Sequence, residues 1–333
     1  MLLSIVIPYY NRNHYIGRML DSLLDQDIPP SDYEIIVVDD GSEEEPVVLK
    51  DYASRYSQVH YHRIEHKGVS PARNEGLSLA KGKWLYLCDS DDFLQKKVLK
   101  GIIAAAEERQ LEMISARVMN VKSQDQPLST RRNFTSVSEI RKGLEYIGNA
   151  DVNFTWGTNS YIVLRSVIET NKIDFCDIYY TEDRLFLLQL ASCVSRFASI
   201  DVDLYYYMQN ADSIMHSRLK HDRTDVAPSI RVYMKELKIL MDNPAAPLTA
   251  IEYLKERDWA KYPYQLLSHV FKYYPVKDTA ADIAFLESLG AYPILKADDK
   301  VIDRRRRLVN HKHLWLLLCR LCHLVPLKIR MKY

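Results

Sequence analysis

Two short apolar runs near the start of the chain each end in a cluster of aspartates. Trp84–Cys88 is followed by the Asp-Ser-Asp-Asp stretch 89–92, and Glu34–Val38 is followed by Asp39 and Asp40. Runs of this length, rich in aromatic and β-branched residues, predict buried strands. Ligands of open α/β sheets bind at the carboxyl ends of the strands. We therefore expect the aspartates to line one ligand-binding edge of a sheet.

Helical patterns separate these runs from two further strand-like segments. We predict strands at residues 4–11, 34–38, 59–62 and 84–88, and helices at residues 15–25, 46–56 and 70–82. The third helix is predicted to start with Ser70 as its N-cap and Pro71 at its first position. Strand–helix alternation with near-continuous apolar strands predicts a mostly parallel α/β sheet with helices on both faces. The sequence has neither of the usual glycine-rich phosphate-binding patterns.

The three carboxylates after the last of these strands need a counter-charge. Asp89, Asp91 and Asp92 repel one another unless something positive lies among them. Oxygen ligands beside a phosphate suit Mg²⁺ or Mn²⁺, so one hypothesis is a divalent metal that holds the diphosphate of a nucleotide. The alternative is a solvated acidic turn that caps a helix starting near Phe93.

Composition argues against several classes of protein. The formal net charge of the 333 residues is +1, which does not favour a nucleic-acid binder. Five cysteines in a chain of this length form no disulfide framework, so a reducing cytosol is the expected setting. Cys319 and Cys322 have C-x-x-C spacing without a second pair, and we interpret them as two cysteines on a helix. Pro8 ends the first apolar run too early for a signal peptide, and no run reaches the roughly 18 residues that span a bilayer.

The pattern changes in the second half of the chain from mixed to helical. Residues 111–121 predict a strand and residues 138–147 a helix, with a polar exposed loop at 122–135 between them. From about residue 222 helical patterns dominate, at residues 226–241, 249–271 and 279–289. We place a boundary near 215–225, which predicts a domain at 1–220 and an α-helical C-terminal region at 221–333.

The last thirty residues combine positive charge with apolar side chains. Four consecutive arginines, Arg304 to Arg307, precede a segment rich in leucine and tryptophan at residues 314–329. Such a tail, 304–333, suits the interface of an anionic membrane, which would make the protein a peripheral one. The alternative is a helix packed on the core with its basic residues in solvent.

The order and spacing of these motifs resemble those of the family 2 inverting glycosyltransferases with the GT-A fold. The matching motifs are Ile5-Val6-Ile7-Pro8-Tyr9-Tyr10-Asn11, Val37-Val38-Asp39-Asp40-Gly41-Ser42, Ala72-Arg73-Asn74-Glu75-Gly76, Asp89-Ser90-Asp91-Asp92 and Glu182-Asp183. The match covers about residues 1–215. The resemblance implies a Rossmann-like GT-A domain and a hexosyl- or N-acetylhexosaminyl-transferase of the bacterial cell-surface polysaccharide type.

The resemblance also implies a role for each matching position. Residues that would bind the nucleotide sugar are Pro8, Tyr10, Asn11, Asp40, Arg73, Asp89 and Ser90. Residues that would ligate Mn²⁺ or Mg²⁺ are Asp91, Asp89 and His216, the last in a loop placed over the diphosphate. Asp183 would be the general base, with Glu182 beside it. On the residues alone, an ordinary carboxylate at a helix N-terminus is the favoured interpretation of Asp183, and only the resemblance reverses it. Trp156 is interpreted as packing rather than as an acceptor platform.

Two functions from different classes remain. The first is a metal-dependent enzyme on the cytoplasmic face of the cell membrane that moves a sugar, with a UDP-sugar favoured, to a saccharide or polyprenyl-linked acceptor by direct displacement. One carboxylate opposite the leaving group is enough for such an inversion. The second is a nucleotide-sugar-binding, membrane-associated subunit without catalysis. Because Asp91 and Asp183 are both present, the sequence favours the enzyme.

Overall fold

A mixed β-sheet with helices on both faces forms the first part of the chain. The structure is a computed structural model that describes residues 1–122, 128, 130–147, 149, 155–209, 226–273, 276–296 and 300–323. The predicted α/β fold is confirmed. By contacts the chain divides into two units: the first is Met1–Tyr146, Val152–Asp177 and Glu182–Ser217, and the second is Ile147–Asp151, Ile178–Thr181 and Arg218–Tyr333.

Within the described residues, nine strands form the sheet of the first unit. They are β1 (Leu3–Tyr9), β2 (Tyr33–Asp39), β3 (Val59–Arg63), β4 (Trp84–Leu87), β5 (Phe93–Leu94), β6 (Met113–Val121), β7 (Arg132–Val137), β8 (Tyr161–Leu164) and β9 (Phe197–Met208). Their order is β3-β2-β1-β4-β8-β6-β9-β5, with β7 paired to β9. The first four strands of that order are parallel, whereas β8 is antiparallel to both neighbours and β5 is antiparallel to β9.

The helices of this unit are α1 (Asn13–Leu24), α2 (Val47–Arg55), α3 (Val69–Leu79), α4 (Leu99–Glu108), α5 (Gly143–Tyr146), α6 (Arg165–Asn171) and α7 (Glu182–Cys193). Alternate residues of the strands face two separate apolar cores. Ile5 and Ile7 of β1 join a core that includes residues of α1 and α4, whereas Val6 joins a core that includes residues of α3, α6 and α7. Burial on both faces explains why the strands are apolar without alternation.

Two glycines bring α3 and the start of β4 against β1. A Cβ atom at Gly76 would lie 2.2 Å from Cγ1 of Val6, and one at Gly82 would lie 2.3 Å from the backbone nitrogen of Ser4. Neither distance is possible for a side chain, so glycine is required for this close approach. The α3–β4 turn is fastened at the same end of the sheet, because the Gly82 N–H donates to Ser4 Oγ at 2.7 Å and Ser4 Oγ donates to Glu34 Oε1 at 2.6 Å.

Several predicted boundaries were wrong, each for a local reason. The N-cap of α3 is Gly68, with φ of 101°, and Ser70 lies buried inside the first turn. No helix starts near Phe93, because residues 93–94 pair as β5 with β9 and α4 begins at Leu99. The aspartates after β4 therefore cap no helix. The polar segment 132–137 is strand β7, and only Gly143–Tyr146 of the helix predicted at 138–147 is helical.

The described part of the second unit is helical. Its helices are α8 (Val226–Met241), α9 (Leu248–Leu254), α10 (Ala260–Tyr273), α11 (Val276–Leu289), α12 (Lys300–Asn310) and α13 (Lys312–His323), and a π-helical turn at Lys255–Trp259 joins α9 to α10. Val226–Met241 has the predicted bounds. None of the helices in the described ranges combines the length and the apolarity that a membrane crossing requires.

The described part of the basic tail forms α12 and α13. Trp315 and Cys319 lie on the buried side of α13, whereas Leu314 and Leu317 are about half exposed, at 45% and 51%. The side chains of Arg305 and Arg307 on α12 are exposed. Cys319 and Cys322 both fall within α13, as expected. Residues 324–333 of the tail lie outside the described residues.

Candidate active site

The carboxyl ends of β1 and β2 meet in a network built by Asp39. Its Oδ1 accepts from the backbone N–H of Ser42 at 2.8 Å, and its Oδ2 accepts from the Tyr61 hydroxyl at 2.9 Å and from Arg63 at 3.2 Å. Asn11, with φ of 49°, donates its backbone N–H to Ser42 Oγ at 2.9 Å. Asp39 thus shapes the turn at this edge, and Asn11 is held against that turn.

Asp40 fixes the loop that leads into α3. Its Oδ1 accepts from the backbone N–H of Lys67 at 2.8 Å, its Oδ2 accepts from that of Gly68 at 2.9 Å, and His66 Nδ1 lies 2.9 Å from Oδ2. The Tyr10 ring stacks on the His66 ring with centroids 4.4 Å apart. Tyr10 and Asp40, both predicted to bind the nucleotide sugar, therefore lie on either side of His66.

Asp89 and Asp91 follow β4 at the same edge of the sheet. Asp89 is partly exposed, and its backbone N–H donates to the Tyr205 hydroxyl at 3.0 Å. Arg18 donates to the backbone carbonyl of Asp91 at 2.6 Å. Burial, and next the charge of Asp89, raise the pKa of the Asp91 carboxyl. The charges of Arg12 and Arg18 act in the opposite direction and are smaller contributions.

Asp92 belongs to the framework of the site rather than to its open edge. Its carboxyl is fully buried, where Oδ1 accepts from the Met208 N–H and Oδ2 accepts from the Tyr205 hydroxyl, both at 2.7 Å. Burial, followed by the charges of Asp89 and Asp91, raises the pKa of Asp92 to about 8. Asp92 therefore ties the end of β4 to β9.

Arg73, on α3, joins two parts of the site that are distant in sequence. Its Nη1 donates to Asp183 Oδ1 at 2.7 Å, its Nη2 donates to Asp89 Oδ1 at 3.1 Å, and Glu182 Oε1 lies 3.7 Å from Nη1. The side chain is almost wholly buried. Burial disfavours the guanidinium, but the three carboxylates outweigh burial and raise the pKa of Arg73. Arg73 is therefore a permanent cation between the β4 edge and α7.

Asp183 and Glu182 form the first turn of α7. Asp183 is about one-third exposed, whereas the Glu182 side chain is buried. Thr181, just before the helix, has φ of 71°, which is uncommon for a β-branched residue. A residue in that conformation redirects the chain immediately before the two carboxylates.

A contact that the sequence analysis missed lies under Arg73. The Asn74 side chain makes two hydrogen bonds, both 2.8 Å, with the backbone of Phe175, and the Phe175 ring lies below the guanidinium. Asn74 was part of a matching motif but had no assigned role. Because 101 residues separate the two partners, no local pattern predicted their contact.

The other predicted site residues are placed as follows. Pro8 lies opposite Val38 in the β1–β2 pairing, and Ser90 is buried after β4. His216 lies outside the described residues. Among those that are described, no three His, Cys, Asp or Glu side chains group to hold a metal. Trp156 packs on the apolar core under the guanidinium of Arg184, 4.0 Å from its ring centroid, which agrees with a packing role.

Comparison with protein families identifies a family for the first half of the chain. Residues 4–169 match the model described as glycosyl transferase family 2. Among curated proteins, the chain is 28% identical over 219 residues to the uncharacterized glycosyltransferase EpsJ of Bacillus subtilis, covering 64% of this chain and 62% of that protein. It is 29% identical over 217 residues to a poly(ribitol-phosphate) beta-glucosyltransferase of Bacillus spizizenii, covering 64% of this chain and 33% of that one. The chain thus spans less than two thirds of these relatives.

Two solved structures share the fold. The Staphylococcus aureus protein TarS, residues 1–349 in complex with UDP, superposes with a TM-score of 0.64 at 20% identity, covering 97% of this chain and 90% of that one. A mannosyltransferase of Pyrobaculum calidifontis in complex with GDP-Man and Mn²⁺ superposes with a TM-score of 0.53 at 16% identity, covering 97% and 86%. At these identities the likeness supports the GT-A fold alone.

Proposed function

Residues 4–169 belong to glycosyl transferase family 2, and on that premise we propose that the chain moves a sugar from a nucleoside-diphosphate sugar to an acceptor hydroxyl. The observation that carries the proposal is the buried guanidinium of Arg73, which contacts Asp89 on the β4 edge and Asp183 on α7. Asp89, at the edge assigned to the donor, and Asp183, the candidate base, thus both lie beside the Arg73 guanidinium.

The base is Asp183 in this proposal. The acceptor hydroxyl must lose its proton as it attacks the anomeric carbon, and a positioned carboxylate within hydrogen-bond reach accepts that proton. Asp183 pairs with Arg73 at 2.7 Å and keeps about one-third of its side chain exposed for an acceptor. Glu182 is buried and supports the same guanidinium. A single base opposite the leaving group gives direct displacement with inversion.

Donor binding is assigned to the carboxyl ends of β1, β2 and β4. Pro8, Tyr10, Asn11 and Asp40 surround the exit of the first two strands, and Asp89 and Ser90 follow β4. A UDP-sugar is the favoured donor, since TarS has been solved in complex with UDP and with UDP-GlcNAc. Arg73 contributes positive charge beside the position where the diphosphate departs.

A divalent cation, Mn²⁺ or Mg²⁺, fits the donor set of Asp91 and Asp89. Both carboxyls follow β4 at the edge where the parallel strands end, and Asp89 is partly exposed there. Two carboxylates, with phosphate oxygens and water for the remaining positions, are the usual protein environment of Mg²⁺. When bound, the cation neutralises charge on the leaving diphosphate. Asp92 is not a ligand here because both its oxygens already accept hydrogen bonds within the fold.

Acceptor and location form the last part of the proposal. We infer a saccharide or polyprenyl-linked saccharide acceptor, reached at the cytoplasmic face of the cell membrane through the tail 304–333. In support, exposed Leu314 and Leu317 share the tail with exposed Arg305, Arg307 and Arg320. Apolar and basic side chains together favour an anionic lipid surface.

Calorimetry with UDP, GDP and dTDP, each with and without Mn²⁺, tests the donor site. Mn²⁺-dependent binding of one nucleotide, followed by transfer from the matching sugar donor with inverted stereochemistry, is the expected result. Nucleotide binding without transfer to any saccharide would favour the alternative, a nucleotide-sugar-binding subunit without catalysis. Binding of none of them would contradict the donor assignment.

A further inference from the structure

The side-chain amide of Asn74 is hydrogen-bonded at both ends to the backbone of one residue, Phe175. Its Oδ1 accepts from the Phe175 N–H and its Nδ2 donates to the Phe175 carbonyl, each at 2.8 Å. An amide that pairs in this way imitates the backbone pairing of two adjacent strands. It fastens the segment before α7 to helix α3, directly beside Arg73 in the sequence.

The Phe175 ring contacts both α7 and the Arg73 guanidinium. It stacks on Phe186 of α7, with centroids 3.9 Å apart and planes 6° apart, and the Arg73 Cζ lies 5.0 Å from its centre. Arg73 in turn pairs with Asp183, at the start of the same helix that carries Phe186. Asn74, Phe175, Phe186, Asp183 and Arg73 therefore close a ring of contacts between α3 and α7.

We propose that Asn74 is a positioning residue for glycosyl transfer, which sets the orientation of the Arg73–Asp183 pair through Phe175. The proposal rests on the proposed function and adds a residue that acts on turnover without touching donor or acceptor. An aromatic face fixes a guanidinium plane only if the ring itself is held. Displacement of a catalytic group by about 1 Å costs on the order of 100-fold in rate.

Asn74→Ala should lower kcat by roughly 30- to 100-fold while the KM for the donor and the affinity for UDP change less than about threefold. The split is expected because, apart from Arg73, the residues assigned to the nucleotide lie on other elements and Asn74 contacts none of them in the proposal. Asn171→Ala is the matched control: Asn171 Nδ2 also donates to a backbone carbonyl, that of Val167, at 2.8 Å, but in α6. The control should retain turnover within about twofold.

A double substitution separates positioning from general stability. In an Arg73→Lys background the planar guanidinium is gone, so adding Asn74→Ala should cost less than about threefold in kcat. If the two losses multiply instead, Asn74 acts independently of Arg73 and the proposal is overturned. Phe175→Leu provides a second route if Asn74→Ala does not fold. It keeps the two backbone hydrogen bonds and should still lower kcat at least about tenfold.

The outcomes distinguish this inference from the function on which it rests. Normal turnover of Asn74→Ala or of Phe175→Leu, with a wild-type protein that transfers sugar, overturns the positioning role alone. A wild-type protein that transfers sugar from no nucleotide donor overturns both. Hydrogen exchange at the Phe175 amide adds a readout without activity. Exchange should speed up in Asn74→Ala and not in Asn171→Ala, and an unchanged rate contradicts the proposal.

Discussion

Nη1 of Arg73 lies 2.7 Å from Oδ1 of Asp183, although 110 residues separate them in sequence. Nη2 of the same guanidinium lies 3.1 Å from Oδ1 of Asp89. One buried cation therefore touches the carboxylate proposed as base and a carboxylate at the donor edge. The proposed base and the donor edge therefore share one counter-charge.

Replacing Asp183 with Asn should leave donor binding intact and abolish most transfer. An amide cannot accept the acceptor proton, and loss of a general base costs roughly 10²- to 10⁴-fold in kcat. Arg73 retains Asp89 and Glu182, so the fold should persist. Steady-state transfer and UDP calorimetry on one sample give both quantities. Turnover near that of the wild type would place the base elsewhere.

Asp91→Asn should remove the effect of Mn²⁺ on UDP affinity. One ligand and one charge are lost, while the nucleotide-facing residues on β1 and β2 are unchanged. The expected observation is a UDP dissociation constant that no longer depends on Mn²⁺ in calorimetric titrations. Wild-type Mn²⁺ dependence in this variant would rule Asp91 out as a ligand. Asp27→Asn, at an exposed position, serves as the charge-matched control.

Stability should fall as pH rises between about 4 and 8 because of Asp92. Its pKa is about 8 in the folded protein but about 3.9 in an unfolded chain. Between these values the folded state holds one more proton, so the free energy of unfolding falls by up to about 1.4 kcal/mol per pH unit. Asp92→Asn should flatten that slope. Urea unfolding at several pH values, with a chelator present, measures the difference; equal slopes in both proteins would contradict the assignment.

Gly76→Ala and Gly17→Ala should change stability in opposite directions. A Cβ at Gly76 meets Val6 at 2.2 Å, and overpacking of this kind costs about 1–3 kcal/mol. At Gly17 the nearest atom is 3.5 Å away, so alanine should stabilise α1 by about 0.5–1 kcal/mol. Urea unfolding provides both values. Equal stability of the two variants would mean that α3 has room to move.

Substituting Leu314 and Leu317 together with Ser should weaken binding to anionic vesicles. Each buried leucine contributes about 1.5–3 kcal/mol, so the partition coefficient should fall at least about tenfold. Ile239 and Leu248, which are more exposed at 64% and 76%, provide a matched double Ser control outside the tail. Point variants are preferable to truncation, because Trp315 of the same helix is buried. Equal losses in co-sedimentation for both variants would refute a specific tail contact.

Local sequence patterns predicted the elements but only part of the site. The strand ending at Leu87 and the aspartates after it were recognisable, because strand propensity and turn chemistry act over a few residues. The Arg73–Asp183 pair was not, since it depends on how α3 and α7 pack. The two residues were assigned separate roles by resemblance. Their contact became visible only with the fold.

The wrong predictions share a cause in tertiary pairing. β7 carries mostly exposed residues and has no apolar signal, and its strand conformation comes from pairing with β9. A helix starting near Phe93 was the alternative interpretation of the aspartates after β4, but Phe93 and Leu94 pair with Tyr206 and Tyr205 and form a strand. Ser70 has the chemistry of an N-cap, yet Gly68 occupies that place because the chain there needs φ of 101°.

The contact between Gly76 and Val6 limits how a site of this kind changes during evolution. Helix α3 lies so close to β1 at Gly76 that a Cβ there would meet the Val6 side chain, one turn away from Arg73. A substitution that adds a side chain at residue 76 would therefore push α3, and Arg73 with it, away from the sheet. Change at this site is thus constrained at residue 76, independently of the chemistry of Arg73 itself.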